Sequence, residues 1–198
     1  MSSADVFVHR LALNESESVG AGTRIWAWAH VLRGAVVGTD CNIGDHAFVE
    51  GGAVVGNGVT IKNGVAIWEG VTLEDFVFVG PNAAFTNDRF PRSPRHPEAR
   101  ARYLDKSWLE RTLVREGASL GANCTIVCGV TVGRYALVAA GAVVTSEVPA
   151  FRIVAGAPAR VVGSVCLCGD RLPTAGDLRC GRCGRAYYVH GADLAISD

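Results

Sequence analysis

Large aliphatic residues recur at every sixth position along most of this chain. Read in sixes, the blocks begin Val19, Ile25, Val31, Val37, Ile43, Val49, Val55, Ile61, Ile67, Leu73, Val79 and Phe85 without a break. After a gap the rhythm returns at Val114, Leu120, Ile126, Val132, Val138 and Val144. The fifth place of each block is small or β-branched, except at Arg89, and the second place is often glycine. A large and a small residue facing inward, separated by turn residues, predict short strands joined by tight corners. Three blocks make one triangular coil, and stacked coils pair their strands in parallel around a continuous aliphatic column. Twelve blocks give four coils and six blocks give two more. Phe7 and Leu13 hold the same phase and predict a frayed capping coil. The expected fold is all-β, a parallel β-helix of about six to seven triangular coils. Cys41 and Cys124 fall in the small inward slot and read as buried hydrophobes. Cys128 takes a turn place.

Residues 91–113 leave the pattern. The segment is rich in proline, then in charge, and Arg92, Arg95, Arg100 and Arg102 make it locally basic. A short helix is expected near Glu98 to Leu104. Long irregular loops in compact folds are mostly functional or disordered. A solvated excursion is the plain reading; an arm reaching a neighbouring subunit or an anionic ligand is the functional one. Both exceptions to the inward pattern, Phe85 and Arg89, fall in the block just before it, Phe85-Thr-Asn-Asp-Arg-Phe90. Departures from local rules cluster at functional sites. Residues in adjacent coils lie about 4.8 Å apart, so Asn87 is expected over Glu69 and Thr86 over Trp68. If the loop preserves the three-sided count, Cys128 follows in the same column. His30 and His46 stand elsewhere along the helix.

Composition narrows the partners. Lys+Arg and Asp+Glu are both 19, and the net charge is zero, so no nucleic-acid or membrane-surface partner is expected. No apolar stretch reaches the roughly 18 residues of a membrane span. The N-terminus lacks the charged and apolar regions of a signal peptide. A cytoplasmic location follows, and disulfides are not expected. Four of the 7 cysteines lie close together. Cys166 and Cys168 form C-x-C-G, and Cys180 and Cys183 form C-x-x-C-G. This resembles a zinc ribbon, in which four thiolates close a tetrahedral structural site. A tail this short has too little core to fold alone, and metal would supply the stability. A redox dithiol and free cysteines are the alternatives. The chain therefore divides into a β-helix over residues 1–163 and a ribbon-like segment over 164–198.

The segment Ile153-Val-Ala-Gly-Ala-Pro-Ala-Arg160, with Val138-Ala-Ala-Gly-Ala-Val-Val-Thr145 before it, resembles the closing signature of coenzyme A-dependent hexapeptide acyltransferases. That resemblance implies a left-handed helix. It also implies a pantetheine slot near Ala139, Gly141 and Ala157, with Arg160 meeting a coenzyme A phosphate. Glu69-Gly-Val-Thr-Leu-Glu-Asp75, Phe78-Val-Gly-Pro-Asn82, Phe85-Thr-Asn-Asp88 and Ile126-Val-Cys-Gly129 resemble one subgroup more narrowly. It acetylates the 3-amino group of nucleotide-linked sugars. The nearest resemblance is to UDP-2-acetamido-3-amino-2,3-dideoxyglucuronate N-acetyltransferases of bacterial surface polysaccharide pathways. A sister group uses dTDP-3-amino-3,6-dideoxyhexoses. The similarity covers about residues 5 to 165.

The resemblance implies acetyl-CoA as cosubstrate and a homotrimer with sites between subunits. It places Asn87 at the amine, with the departing sulfur accepting the proton, and Glu69 beneath could help. His30 serves as base, contacts the nucleotide or simply packs. Arg24, Arg33, Arg92 and Asp88 are candidates to meet the sugar nucleotide. Two other readings were weighed. A carbonic-anhydrase-like metal site needs three converging histidines, and the repeat body offers only His30 and His46. A non-catalytic scaffold, its tail docking a partner, leaves the Ala157-Pro-Ala-Arg160 segment without a purpose.

Overall fold

The computed structural model of the chain describes residues 5–174 and 176–197. Strands of two or three residues succeed one another from Phe7–Val8 to Val143–Val144 and stack in parallel on three faces. The first face runs from Phe7–Val8 through Arg24–Ile25 to Leu137–Val138 and Arg152–Ala155. The second carries Leu13–Asn14, His30–Val31, Phe48–Val49 and Ala66–Ile67, then Ala84–Phe85, Thr125–Ile126 and Val143–Val144. The third runs from Ser18–Val19 to Thr131–Val132. The architecture is a parallel β-solenoid, as the six-residue rhythm requires.

The inward pattern holds throughout the core. Ile25, Ile43, Ile61, Ile67, Leu120 and Ile126 are all fully buried, as are the small residues Ala35 and Ala53. Each large side chain stabilises the stack by about 1.5–3 kcal/mol relative to exposure. Thr23 and Thr112 are polar occupants of inward slots, and Thr23 is fully paired. Its hydroxyl donates to the Gly38 carbonyl at 2.8 Å and accepts from the Cys41 amide at 3.0 Å, so its burial leaves nothing unpaired. Burial pushes the Cys41 thiol up and Cys124 up to about 11, in keeping with inert packing.

Two details of the coil count differ from expectation. The first sheet has 9 strands, of which Arg160–Ser164 turns back antiparallel, leaving eight stacked levels. The N-terminal coil is a paired level, and Arg152–Ala155 adds one more at the other end. At the N-terminus, Val8 aligns with Ile25 and Asn14 with Val31, so the inward phase is one residue later than Phe7 and Leu13. The block between Asn14 and Val19 is one residue short, and Ser16 closes it by donating to the Ala35 carbonyl at 2.7 Å. Phe7 and Leu13 accordingly face outward, 42% and 51% exposed.

The excursion leaves the second face after Ala84–Phe85 and rejoins the third at Thr112–Val114. Leu73 pairs with Val114, and Phe85 with Ile126. Both offsets are 41 residues against the usual 18, so 23 residues (41 − 18) are inserted without loss of register. Within the loop, Arg100–Tyr103 forms one short 3₁₀ turn rather than an α-helix. At the corner where the loop springs, Gly34, Gly52, Gly70 and Gly129 all have φ between +81° and +87°, a conformation that favours glycine. Their missing side chains also leave room for neighbours. A Cβ on Gly129 would lie 2.5 Å from Glu110 Oε2, and one on Gly70 would lie 2.8 Å from Leu109 Cδ2.

The tail docks on the last coils. Phe151 stacks on Tyr135 and meets Tyr187 edge-on, each at 5.2 Å between ring centres. Phe151, Cys166, Leu172, Cys180, Tyr187 and Leu194 form a second apolar cluster. The Ala150 amide donates to Asp193 Oδ1 at 2.6 Å, and Arg152 Nε to the Ala192 carbonyl at 3.0 Å. Among the described residues no helix is long and apolar enough to cross a membrane.

Candidate active site

Register fixes the predicted column. Ile67 lies one coil before Phe85, and Phe85 pairs with Ile126, which pairs with Val144. Two residues beyond each stand Glu69, Asn87, Cys128 and Ser146 at the corner between the second and third faces. Asn87 Nδ2 donates to the Glu69 carbonyl at 3.4 Å, a direct link between adjacent coils. The Glu69 amide donates to Glu50 Oε2 at 2.8 Å, which fixes the coil beneath. Above, the Cys128 amide donates to the Thr86 hydroxyl at 2.9 Å. Trp68 Nε1 donates to the Phe85 carbonyl at 2.9 Å, so Thr86 does follow Trp68 by one coil.

Asn87 is half-buried and marks the point where the chain departs from the helix. Its carbonyl accepts from the Glu110 amide at 3.0 Å, and Asp88 forms an antiparallel bridge with Leu109. With Nδ2 turned to the Glu69 carbonyl, the amide oxygen Oδ1 is the group that faces away from that bond and can accept one of its own. Lys106, on the returning loop, places Nζ 2.5 Å from Glu69 Oε1.

Asp88 is engaged by the loop itself. Its carboxylate accepts from Arg102 at 2.5 Å, Tyr103 Oη at 2.9 Å and the Phe90 amide at 3.0 Å. Burial pushes the Asp88 carboxyl up, but these donors outweigh it and hold it below the ordinary aspartate range. This carboxylate ties the loop's outward limb to its 3₁₀ turn. Arg92 is exposed, with its guanidinium on the Pro91 carbonyl.

The other expected residues stand apart within one chain. Arg24 is exposed on the first face. His30 lies on the second face, three coils before Ala84, with Nε2 3.7 Å from Glu15 Oε2 and its ring edge-on to Phe48. Arg33 shares the corner column of Glu69, two coils earlier, or about 10 Å at strand spacing. Trp28 and His46 stack on each other at another corner, 5.0 Å apart.

The closing segment forms an additional rung. The Val143 amide donates to the Gly156 carbonyl at 2.9 Å, and the Ala159 amide to the Val143 carbonyl at 2.8 Å. Arg160, Ala159, Thr145 and Ser146 line a cleft of about 420 Å³. Ser146 continues the Asn87 column, so this cleft and Asn87 share one corner, two coils apart. Ala139 and Gly141 lie on the first face and at its corner with the second. A Cβ on Gly141 would meet nothing within 4 Å.

The four tail cysteines converge as their spacing predicted. Their sulfur atoms all lie within 4.8 Å of one another. Cys166 Sγ is 3.5 Å from Cys183 Sγ, and Cys168 Sγ is 3.7 Å from Cys180 Sγ. Four thiolates bound tetrahedrally at about 2.3 Å from zinc stand about 3.8 Å apart, so the donor set fits that ion. Burial pushes the Cys166 thiol up, but the Tyr187 hydroxyl, the Cys168 amide and neighbouring thiols pull it down to about 6. For Cys168 the Asp170 amide favours the thiolate, yet burial and the crowded thiols push it up to about 12. Such crowding favours a shared cation over a single charge.

Sequence reasoning missed Lys106, Tyr103 and Glu110, and gave Arg102 only as part of a basic segment, not as the partner of Asp88. All belong to the irregular loop, where no period says what meets what. Arg89 carried a signal as a charge in an inward place of the repeat, but in the structure Thr112 takes that place, paired with Val71, and Arg89 is exposed.

Known proteins match this chain at several levels. The hexapeptide repeat of succinyl-transferase matches residues 34–69 and 116–146. The dTDP-3-amino-3,6-dideoxy-alpha-D-galactopyranose 3-N-acetyltransferase of Aneurinibacillus thermoaerophilus is 46% identical over 191 residues, 96% of this chain and 95% of the relative. The acetyltransferase domain of PglB from Neisseria gonorrhoeae, solved with acetyl coenzyme A, superposes with a TM-score of 0.51 at 21% identity. The match covers 79% of this chain and 57% of that one. A variant of AntD, an N-acyltransferase from Bacillus cereus solved with dTDP and coenzyme A, gives 0.54 at 15% identity, covering 80% and 82%. Both structural likenesses bear on the fold. The length and identity of the Aneurinibacillus match, on a solenoid with this repeat and this closing segment, make the chain a member of the hexapeptide-repeat acetyltransferase family.

Proposed function

We propose that the protein transfers the acetyl group of acetyl-CoA to the 3-amino group of a dTDP-linked 3-amino-3,6-dideoxyhexose. The 46% identical relative, matched end to end, is the observation that carries this reading. It reverses the order suggested by the short motifs, which favoured a UDP-linked 3-amino-uronate.

Local electrostatics support the same choice. Arg89 is paired with Glu110, Arg102 with Asp88, and Lys106 with Glu69. The cations that the loop and its neck bring up to Asn87 are already neutralised by protein carboxylates. A C6 carboxylate on the sugar would compete with those partners, whereas a C6 methyl asks for none.

In the reaction, the neutral amine attacks the thioester carbonyl and a tetrahedral oxyanion forms. Its collapse breaks the carbon–sulfur bond, and the coenzyme A sulfur leaves with the proton lost from nitrogen. Asn87 Oδ1 accepts an N–H of the amine and aims the lone pair; an asparagine orients and does not take the proton. Glu69, when Lys106 yields it, holds the arriving ammonium, which gives its proton to solvent before the neutral amine attacks. Arg33, on the same corner two coils before Glu69 and three before Asn87, about 14 Å from the latter at strand spacing, meets the diphosphate. Acetyl-CoA approaches from the closing segment, its arm along Ala139, Gly141 and Ala157 and a phosphate at Arg160. Arg92 is joined to Asp88 through Tyr103 at the base of the loop, whereas Arg24, on the first face, and His30, three coils before Ala84 on the second, stand apart from Asn87 within one chain. Those two reach substrate only if sites form between subunits of a homotrimer, and that assembly is part of the proposal. The tail cysteines hold a structural zinc ion; with four protein ligands it supplies stability rather than chemistry.

Product mass spectrometry tests the reading. The protein is incubated with acetyl-CoA and either a dTDP-3-amino-3,6-dideoxyhexose or the UDP-3-amino-uronate. Addition of one acetyl group to the dTDP sugar is expected. Acetylation of the uronate alone would return the protein to the other group, and acetylation of neither would remove the acceptor class.

A further inference from the structure

The geometry points to Arg89 and Glu110 as a clamp that positions Asn87, closing the neck of the excursion on the residue that meets the amine. The inference rests on the proposed role of Asn87. It starts from a defect in the repeat. At other coils the inward slot holds a small residue, and neighbouring strands fix the backbone on both sides. After Asn87 the chain swings out; the inward slot that the pattern gives to position 89 is filled instead by Thr112, buried and paired with Val71, and Arg89 is left exposed at the neck of the loop.

The guanidinium makes a fork. Arg89 Nε donates to Glu110 Oε1 at 3.0 Å and Oε2 at 2.9 Å, and Nη2 to Oε2 at 2.7 Å. The same Nη2 donates to the Cys128 carbonyl at 2.7 Å. One side chain therefore joins the outgoing limb, the returning limb and the next coil of the Asn87 column. Glu110 closes the ring from the other side, since its amide donates to the Asn87 carbonyl at 3.0 Å. The pair sits over Gly129, where a Cβ would be 2.5 Å from Glu110 Oε2 and 2.7 Å from Arg89 Nη2. A side chain at that corner would evict the clamp.

An exposed ion pair contributes little to stability. A bidentate fork is nonetheless geometrically demanding, and lysine cannot reproduce it. Neither residue needs to touch substrate. Their effect passes through the direction of the Asn87 amide, and misplacement of about 1 Å costs on the order of a hundredfold in rate.

The test is a double-mutant cycle on the full chain. Arg89→Lys should lower kcat about tenfold or more while leaving KM for acetyl-CoA within about twofold. In an Asn87→Ala background the same substitution should change kcat by less than about twofold, because the group it orients is gone. Glu110→Gln, nearly isosteric, should repeat the pattern if Arg89→Lys folds poorly. An equal loss in both backgrounds, or no loss in either variant, would overturn the clamp. If the wild-type protein acetylates no amino sugar, the functional reading fails first and the clamp falls with it; an active wild type with indifferent variants defeats the clamp alone.

Discussion

The Lys106 ammonium lies 2.5 Å from Glu69 Oε1, one coil beneath Asn87. A sugar amine arrives protonated to a large extent, and it would seek the carboxylate that Lys106 now holds. Lys106→Met should therefore lower KM for the acceptor by about two- to fivefold, the range of an exposed ion pair. Melting temperature should barely move. Acceptor titrations at low and high salt read the effect, and a rise in KM would mean that Lys106 binds substrate rather than competing with it.

Asn87→Ala should reduce kcat by about a hundredfold with KM for acetyl-CoA unchanged, because only orientation of the amine is lost. Asparagine does not titrate, so the pH profile should follow the amine's own ionisation, which for a free amine lies near about 8. His30→Ala should leave the shape of that profile intact. If its rising limb vanishes in the His30 variant, a histidine base is at work.

Arg33→Ala should raise KM for the sugar nucleotide about tenfold at constant kcat, as expected for a contact made equally in ground and transition states. The loss should weaken when the acceptor lacks its diphosphate. Equal losses with both acceptors would remove the phosphate contact.

The Asp88 latch should resist acid. Its folded pKa is lowered, so the stability it brings is present in full above the ordinary aspartate value of about 4. That contribution is lost only as pH falls through the lower folded value. Limited proteolysis of the 91–113 loop should proceed at one rate from pH 8 to about 5 and accelerate only in stronger acid. Asp88→Asn should accelerate cleavage across the whole range. A wild-type loop already opened at pH 5 would contradict the latch.

Elemental analysis should find one zinc per chain. Chelation, or Cys180→Ser, should free the tail to proteolysis and lower the melting temperature by roughly 5–10 °C, corresponding to a few kcal/mol in a chain of this size. The solenoid's β-sheet signal should persist, because Ile25 through Val154 form an apolar cluster separate from the one around Tyr187. Retention of an intact, protease-resistant tail without metal would count against the zinc.

The sequence made the solenoid legible because burial in a stacked coil is strictly periodic. Ile25 and Ile126 occupy equivalent places a hundred residues apart, and both are fully buried. The same arithmetic placed Glu69, Asn87 and Cys128 in one column, since the insertion keeps whole coils. It failed at Asn14 to Val19, where a block one residue short shifts the phase and turns Phe7 and Leu13 outward. It also failed within the excursion. Asp88 read as a substrate contact, yet its partners Arg102 and Tyr103 are brought to it by an aperiodic turn. Cysteine spacing found the four-sulfur cluster, while the docking of Tyr187 on Phe151 had no signature in the sequence.

The 23 residues added between Ala84–Phe85 and Thr112–Val114 enter and leave through one corner without loss of register. On the proposed function, fold stability and acceptor choice become separable traits in this architecture. The stack is written in the hexads, and the neighbourhood of the amine is written in a segment that can lengthen, shorten or be exchanged. A lineage of such enzymes can explore new sugars by rewriting one loop while its scaffold stays under unchanged selection.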